Sequence, residues 1–260
     1  MTRARIDPTA RIDPRAQLGA GVSVGAYSVI GPDVEIGDGG WIGPHVVING
    51  HTRIGRDNRI YQFCSLGDEP QHKSYKGEPT RLEIGDRNVL REYISIHRGT
   101  MLDRGITRIG DDNYLMAYVH IAHDCTVGNQ ITMANGASMA GHGSVGDWCF
   151  LGGFALVYQF TRIGAYSYVG FGAHVTKDVP PFLMIADQPA KPHGINAEGM
   201  RRRGYSKDEI DAVRGAYKLL YRSNLLLKDA RSRIAELPQT PALKLFLDAI
   251  SAESKRGLIR

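Results

Sequence analysis

Large apolar residues recur every six positions along the first two thirds of the chain. Every sixth residue is apolar from Ile6 to Leu66 and from Ile84 to Leu102, and after Gly105 a series shifted by one position runs from Ile109 to Val175. A period of six fits neither an α-helix nor a flat strand with alternating faces. It fits a short strand and a corner, repeated three times per turn of a triangular coil whose apolar residues point inward. The pattern predicts a mainly β protein, a β-helix of hexapeptide repeats with nine turns, on the order of 45 Å long.

Two interruptions and one boundary organise this coil. Residues 68–81 are predicted to protrude as a loop, because the register would otherwise bury His72 and Glu78, and a second excursion covers 98–108. Loops of this kind commonly carry function. The repeat ends near the prolines at 180 and 181, which predicts a β-helix domain over 1–190 and a small C-terminal α-helical domain over 191–260. Ser206 and Glu209 form a capping-box signature at the start of an amphipathic segment.

Glycine and cysteine refine the description of the coil. The 31 glycines, together with Asn58, Asn88 and Asn113, are assigned to corners that need unusual backbone angles. The three cysteines, Cys64, Cys125 and Cys149, fall four residues after an apolar position and are predicted to fill the core. An odd number of cysteines gives no disulfide framework and fits a reducing cytoplasm.

Membrane and secretion signals are absent from the sequence pattern. No stretch approaches 18 uninterrupted apolar residues, so no transmembrane segment is expected. The first residues, MTRARIDP, contain no apolar region of the kind found in signal peptides. A cytoplasmic location is the expectation.

The charge is concentrated in the tail. Residues 191–260 hold fifteen Lys and Arg against eight Asp and Glu, whereas the first 190 residues hold 17 against 19. A near-neutral body with a basic tail indicates an acidic partner or a phosphorylated ligand. Nucleic acid is not among the expected partners.

Histidines cluster in the middle of the coil, at positions 97, 120, 123 and 142. Residues 18 apart stack in successive turns, so His123 and His142 should lie one turn apart. One interpretation is general-base catalysis by His123, with a neighbouring carboxylate fixing its tautomer. A second is a set of surface imidazoles at a subunit interface. A third is zinc held between subunits, although the His-x4-His pair of the gamma-class carbonic anhydrases is missing.

Several long motifs resemble one family of hexapeptide-repeat enzymes. They are HIAHDCTVGN, NGHTRIGRDNRIYQF, GEPTR with IGDRN and IHRGT, DVPPF, HGIN, EGMRRRG and the terminal RGLIR. The chain resembles the UDP-N-acetylglucosamine 3-O-acyltransferases of lipid A biosynthesis over essentially its whole length. That resemblance implies a left-handed parallel β-helix, a homotrimer, active sites in the clefts between adjacent coils, and neither a cofactor nor a metal.

The same resemblance assigns roles to individual residues. His123 would be the general base that removes the proton of the glucosamine 3-hydroxyl, Asp124 would orient it, and the N–H of Gly141 would stabilise the oxyanion. The hydroxyl would attack a 3-hydroxyacyl thioester carried on acyl carrier protein, to which the basic tail would bind. The residues expected to contact the sugar nucleotide are Gln71, His120, His142, Gln159, Asn196, Glu198, Arg202 and Arg203.

The sequence departs from the family pattern in three places. The protruding loop reads Gln71-His72-Lys73-Ser74 where the family has Gln-Asp-Leu-Lys, so that Lys73 or Lys76 would have to supply the missing cation. Tyr158 stands where the family commonly has a histidine. Phe171 occupies the position that limits acyl length, which predicts a donor of medium length. The alternative for Phe171 is an outward aromatic residue packing on a neighbouring coil.

Three other functions remain as alternatives at this stage. The altered loop favours an N-acyltransferase acting on a 3-amino UDP-sugar as the runner-up. A gamma-type zinc lyase and a non-catalytic trimeric scaffold are the alternatives from other classes.

Overall fold

The computed structural model describes residues 5–260, and the first residues of the MTRARIDP segment, 1–4, lie outside that range. The chain winds into a left-handed parallel β-helix with three sheets, one on each face of a triangular prism, followed by four α-helices. Up to the strand His174–Val175 every third strand belongs to the same sheet, and strands within a sheet are parallel up to the last pair. The fold class predicted from the hexapeptide period is confirmed.

The three sheets are defined by the following strands. The first sheet contains Arg5–Ile6, Ser23–Val24, Trp41–Ile42, Arg59–Ile60, Val89–Leu90, Tyr114–Leu115, Thr132–Met133, Phe150–Leu151, Tyr168–Val169, Leu183–Ala186 and Lys191–Ile195. The second contains Arg11–Ile12, Val29–Ile30, Val47–Ile48, Ser65–Asp68, Ser95–His97, His120–Ile121, Ser138–Met139, Leu156–Val157 and His174–Val175. The third contains Gln17–Leu18, Val34–Ile36, Thr52–Ile54, Arg81–Ile84, Ile106–Ile109, Thr126–Val127, Ser144–Val145 and Arg162–Ile163.

The strand register explains the shift in phase seen in the sequence. Paired residues are normally 18 apart, as in Arg5 with Ser23. Across the first loop the spacing is 30, and across the second it is 25, as in Val89 with Tyr114. The first insertion is therefore two whole hexads and keeps the phase, whereas the second adds seven residues and shifts it by one. The loops occupy 69–80 and 98–105, slightly shorter than predicted.

The core is the predicted series of inward apolar residues. From Val24 to Val175 every predicted position is buried except Leu102. Leu102 is 68% exposed, so its assignment to the core is wrong, because the second loop lifts this part of the chain away from the coil. Ile6 is exposed because the first described coil is covered on one side only.

The asparagines do not adopt the unusual corner conformation that the sequence suggested. The residue before each of them does: Asp57, Arg87 and Asp112 have φ values of 56–58°. Asn58, Asn88 and Asn113 are buried and form a ladder. Each side-chain oxygen accepts a hydrogen bond from a backbone N–H of the next coil at 2.8–2.9 Å. The assignment of these asparagines to left-handed corners is wrong, because their side-chain amides instead form hydrogen bonds with buried backbone groups.

The three cysteines are buried in the core as predicted. Burial raises the pKa of each thiol to about 12. Each sulfur lies within hydrogen-bond distance of a backbone carbonyl of the next coil. A thiol with so high a pKa is a poor nucleophile or metal ligand.

The C-terminal part consists of helices α1 (Ala197–Arg202), α2 (Lys207–Tyr221), α3 (Leu227–Ala235) and α4 (Pro241–Ser251). The predicted capping box at Ser206 and Glu209 is confirmed. The antiparallel strand Lys191–Ile195 lies inside the range expected to be helical and connects the coil to α1. Within residues 5–260, no helix combines the length and the apolar content that crossing a membrane requires.

The ladder predicts a measurable loss of stability. Asn88→Ala removes the acceptor of the Asn113 N–H, which is then buried without a partner. We expect the free energy of unfolding to fall by about 1–3 kcal/mol, measured by denaturant unfolding at a fixed protein concentration. Asn135→Ala, at an exposed position, is the matched control. Equal losses for the two variants would contradict a stabilising role of the ladder.

Candidate active site

The corner that follows the strand His120–Ile121 carries the candidate general base and its carboxylate. Asp124 occupies the corner itself with a φ of 60°, a left-handed conformation that aspartate tolerates better than most residues. Its side chain is completely buried, and the His123 side chain is 11% exposed. The backbone N–H of Asp124 donates to Thr107 Oγ1 at 2.8 Å, which fixes the corner to the preceding coil.

The Asp124 carboxylate is fully hydrogen-bonded. His123 Nδ1 lies 2.9 Å from Oδ2, and Thr100 donates its backbone N–H at 2.9 Å and its hydroxyl at 2.7 Å. Burial by itself would raise the pKa of Asp124, but the hydrogen bonds from His123 and Thr100 outweigh it and hold that pKa below its usual value. An ionised Asp124 keeps the proton on Nδ1 of His123, which leaves Nε2 free to act as a base.

Gly141 faces the His123 ring from the next coil. A Cβ at this position would lie 2.6 Å from Cε1 and 2.8 Å from Nε2 of the ring, closer than side chains can pack. Glycine is therefore required for the imidazole to occupy its place. No described residue accepts a hydrogen bond from the Gly141 N–H. That N–H is available to a ligand beside the base.

His142 lies one turn from His123, as the 18-residue period predicts. The two rings meet edge to face with centroids 5.1 Å apart, and the His142 N–H donates to the carbonyl of His123 at 3.0 Å. His142 Nδ1 lies 3.0 Å from Asp103 Oδ2, and the ring stacks on Phe160. The site therefore contains two neighbouring histidine–aspartate pairs.

These side chains also form the one group within residues 5–260 whose spacing would suit a metal ion. The candidate ligand atoms of His123, Asp124 and His142 all lie within 4.8 Å of one another. Both Nδ1 atoms already have a carboxylate partner, so a metal bound through Nδ1 or through Asp124 Oδ2 would have to displace the hydrogen bonds that orient the rings.

A groove of about 610 Å³ runs along the second sheet from His123. Its lining is mainly apolar and includes Ala122, Met139, Leu156, Val157 and Val175. His120, Gln71, Tyr158 and His174 add polar groups to the same walls. An elongated apolar groove that begins at a base is suited to a hydrocarbon chain bearing a reactive carbonyl.

His120 is held on the groove wall by Ser95, whose hydroxyl lies 2.8 Å from Nδ1. Burial, with a smaller contribution from the charge of His97, lowers the pKa of His120. His120 is therefore neutral at pH 7. Its remaining ring nitrogen can either donate one hydrogen bond to a polar ligand or accept one from it.

The first loop brings His72 to the base. The His72 and His123 rings meet edge to face at 5.4 Å, where the family pattern would have an acid. Lys73, Ser74 and Lys76 are exposed on the same loop. Tyr75 joins this loop to the second one, because its hydroxyl accepts a hydrogen bond from Arg98 at 2.9 Å.

The residues expected to bind the nucleotide lie at another corner of the prism. Asn196 caps α1 by accepting the Gly199 N–H, and Arg203 stacks on Trp148 at 4.3 Å. Glu198 is paired with Arg201 and Arg202, which lower the pKa of its carboxyl. Trp148 lies at the corner between the third and first sheets, whereas Asp124 lies at the corner between the second and third sheets. A single chain therefore does not bring these residues to His123.

Two further predicted residues are not among those that line the groove. Gln159 is exposed beside Tyr158. Phe171 is 77% exposed and packs edge to face on Phe154 of the preceding coil, with centroids 5.8 Å apart. Phe171 lies three residues before His174, which belongs to the last coil that lines the groove.

Sequence reasoning missed the partners of the histidines. Thr100, Asp103 and Ser95 contact Asp124, His142 and His120 respectively, from positions 24 to 39 residues away along the chain. The one signal was the interruption at 98–108, which marked the loop that carries Thr100 and Asp103 but not the residues themselves.

Gly141 provides a direct test of this geometry. Gly141→Ala inserts a methyl group into the space of the His123 ring, so we expect turnover to fall at least tenfold while the coil stays folded. Gly143→Ala is the matched control, because a Cβ there meets Ala140 and Met139 but no histidine atom. Initial rates and circular dichroism of both variants check this. Similar rates for the two variants would contradict the assigned ring position.

Relatives of known type share the whole architecture. The family model described as UDP N-acetylglucosamine O-acyltransferase, domain 2, matches residues 178–259. Acyl-[acyl-carrier-protein]–UDP-N-acetylglucosamine O-acyltransferases from Thiobacillus denitrificans and Halorhodospira halophila are 52% and 56% identical, over 78% and 81% of this chain and 79% and 82% of theirs. The solved UDP-N-acetylglucosamine O-acyltransferase of Moraxella catarrhalis superposes with a TM-score of 0.94 at 46% identity, covering 98% of this chain and 99% of that one. The chain belongs to the acyl-[acyl-carrier-protein]–UDP-N-acetylglucosamine O-acyltransferase family.

Proposed function

We propose that this protein transfers a 3-hydroxyacyl chain from acyl carrier protein to the 3-hydroxyl of UDP-N-acetylglucosamine, the first step of lipid A biosynthesis. The observation that carries the proposal is the His123–Asp124 pair, with Nδ1 and Oδ2 2.9 Å apart, at one end of an apolar groove. The names of the relatives support a hydroxyl acceptor over the amine, zinc-lyase and scaffold alternatives.

The chemistry follows from the protonation state of the pair. Nε2 of His123 takes the proton of the 3-hydroxyl as the oxygen attacks the thioester carbonyl. The tetrahedral oxyanion accepts a hydrogen bond from the Gly141 N–H. Collapse of this intermediate breaks the carbon–sulfur bond, and the His123 imidazolium returns its proton to the departing thiolate. Asp124 remains ionised throughout and stabilises the imidazolium.

The sugar nucleotide is assigned to the residues around this base. His120, His142 and the loop residues Gln71, His72 and Ser74 are the candidates for the sugar, with Lys73 or Lys76 as the cation for a phosphate. Asn196, Glu198, Arg202 and Arg203 are the candidates for the nucleotide, since guanidinium groups suit a diphosphate. Gln159, beside Tyr158, is a further candidate for contact with the substrate.

A homotrimer would join the two sets of residues. His123 and Arg203 lie at different corners of one chain, so a cleft between two chains is the simplest way to complete the site. An exposed stack of aromatic rings, with centroids 4.8–5.3 Å apart, supports such an interface: Tyr27, His45, Phe63, Tyr93 and Tyr118. Exposed apolar surface of this extent commonly marks a contact between proteins.

The basic tail completes the assignment. Residues 1–190 would form the catalytic coil, and 191–260 would bind the nucleotide and the acidic surface of acyl carrier protein through their excess of Lys and Arg. The three buried free thiols support a reducing, cytoplasmic location.

Product analysis tests this function. Purified protein should convert UDP-N-acetylglucosamine and a 3-hydroxyacyl-carrier thioester to the 3-O-acyl product, identified by mass spectrometry. His123→Ala should lower turnover by a factor on the order of 10² or more, and Asp124→Asn by less, because it keeps the imidazole. Offering the 3-amino analogue in parallel is the control for acceptor type. Exclusive acylation of the amine, or normal turnover by His123→Ala, would overturn the corresponding part of the proposal.

Phe171 predicts the length of the acyl chain. If its ring closes the far end of the groove in the assembled protein, wild type should prefer a medium-length donor, since each methylene kept out of apolar contact forfeits about 0.8 kcal/mol. Phe171→Gly should move the preference to longer chains and Phe171→Leu should move it less, measured as kcat/KM over a series of donors. An unchanged series in the glycine variant would assign the ring to packing on Phe154 alone.

A further inference from the structure

The second loop, residues 98–105, interrupts a regular coil and requires a physical explanation. The coil itself gains no core contact from it, since Leu102 and Met101 are exposed. Thr100 is different, because it is buried and directed at the centre of the site. Its backbone N–H and its hydroxyl both donate to the Asp124 carboxylate. Within residues 5–260 it is the only residue besides His123 that hydrogen-bonds to that carboxylate, since His142 Nδ1 lies 3.9 Å from Oδ2.

Thr100 is held firmly at the base of this loop. Its carbonyl accepts the N–H of Gly105 at 3.0 Å, which closes the loop. The preceding Arg98 is buried and donates to the carbonyl of Gly50 at 3.2 Å and to the hydroxyl of Tyr75 at 2.9 Å. Between them, Gly99 packs so closely on the backbone of Ile106 that a Cβ would overlap it. These contacts with the surrounding protein therefore fix the position of Thr100.

We infer that Thr100 is a positioning residue, which acts through Asp124 to hold the catalytic imidazole in place and to set its basicity. This inference rests on the proposed function of the His123–Asp124 pair. A buried carboxylate with a single partner can rotate, whereas one held by the histidine and by two donors from Thr100 has one orientation. The seven-residue insertion that shifts the phase of the coil supplies those two donors.

The Thr100 hydroxyl also stabilises the negative charge of Asp124 by donating a hydrogen bond to Oδ2. Without it, the carboxylate attracts the His123 proton more strongly, so the imidazolium becomes harder to deprotonate. The acid limb of the pH–rate profile should then move to higher pH. Loss of packing alone would lower activity at every pH without moving that limb.

The test compares Thr100→Val with Thr100→Ser. Valine keeps the shape and the backbone N–H but removes the hydroxyl, so we expect kcat to fall roughly tenfold with little change in KM, and the acid limb to move to higher pH. Serine restores the hydroxyl and should restore both. Thr132→Val, in a strand of the first sheet, is the matched control for a threonine-to-valine change. In a variant that already carries Asp124→Asn, adding Thr100→Val should not lower kcat any further.

A measurement without substrate separates this inference from the proposed function. Titration of the His123 imidazole, followed by nuclear magnetic resonance, should show a higher midpoint in Thr100→Val than in wild type and Thr100→Ser. If Thr100→Val does not fold, Thr100→Ala removes the same hydroxyl and is titrated instead. An unchanged midpoint and acid limb, or a serine variant as impaired as the valine variant, would overturn the role of Thr100. Failure of wild type to acylate the sugar would overturn the function and leave the titration result standing.

Discussion

Backbone hydrogen bonds join each coil to the coils before and after it. This stacking holds a residue about 4.8 Å from the one 18 positions later. Inward residues then form continuous apolar columns, and outward residues form columns of their own. His142 follows Asp124 in one such column, which brings its ring edge to face with that of His123, and the stacked rings from Tyr27 to Tyr118 form another. The site inherits its spacing from the coil, so little local structure is needed to bring two histidines together.

The two insertions supply what stacking does not. A regular coil repeats the same environment at every turn, and at Asp124 it provides one hydrogen-bond partner, His123. The loop at 98–105 brings Thr100 to Asp124, and the loop at 69–80 brings His72 to the His123 ring. Arg98 links the two through Tyr75, so that the loops support each other as well as the base.

Sequence predicted the parts of the molecule that follow from periodicity. The inward series, both loops and the adjacency of His123 and His142 follow from counting in sixes, because one repeating constraint governs them. The exposure of Leu102 and the asparagine ladder could not be predicted from this period. Leu102 keeps the period by coincidence inside a loop, and Asn88 looks like a corner residue although its side-chain oxygen accepts a hydrogen bond from the next coil. Thr100 was not predictable, because contacts that cross a seven-residue insertion have no fixed spacing along the chain.

The separation of functional residues between corners is the last consequence of the triangular cross-section. Asp124 lies at the corner that leads into the third sheet and Trp148 at the corner that leads out of it, so the width of that face separates the two sets of residues. His123 with its groove and Arg203 with Trp148 occupy different corners. Under the proposed function, a ligand that needs both a general base and a guanidinium would be bound between two prisms. Assembly would then be part of the catalytic requirement, and a mutation at the exposed aromatic stack would affect activity through association and not through the base.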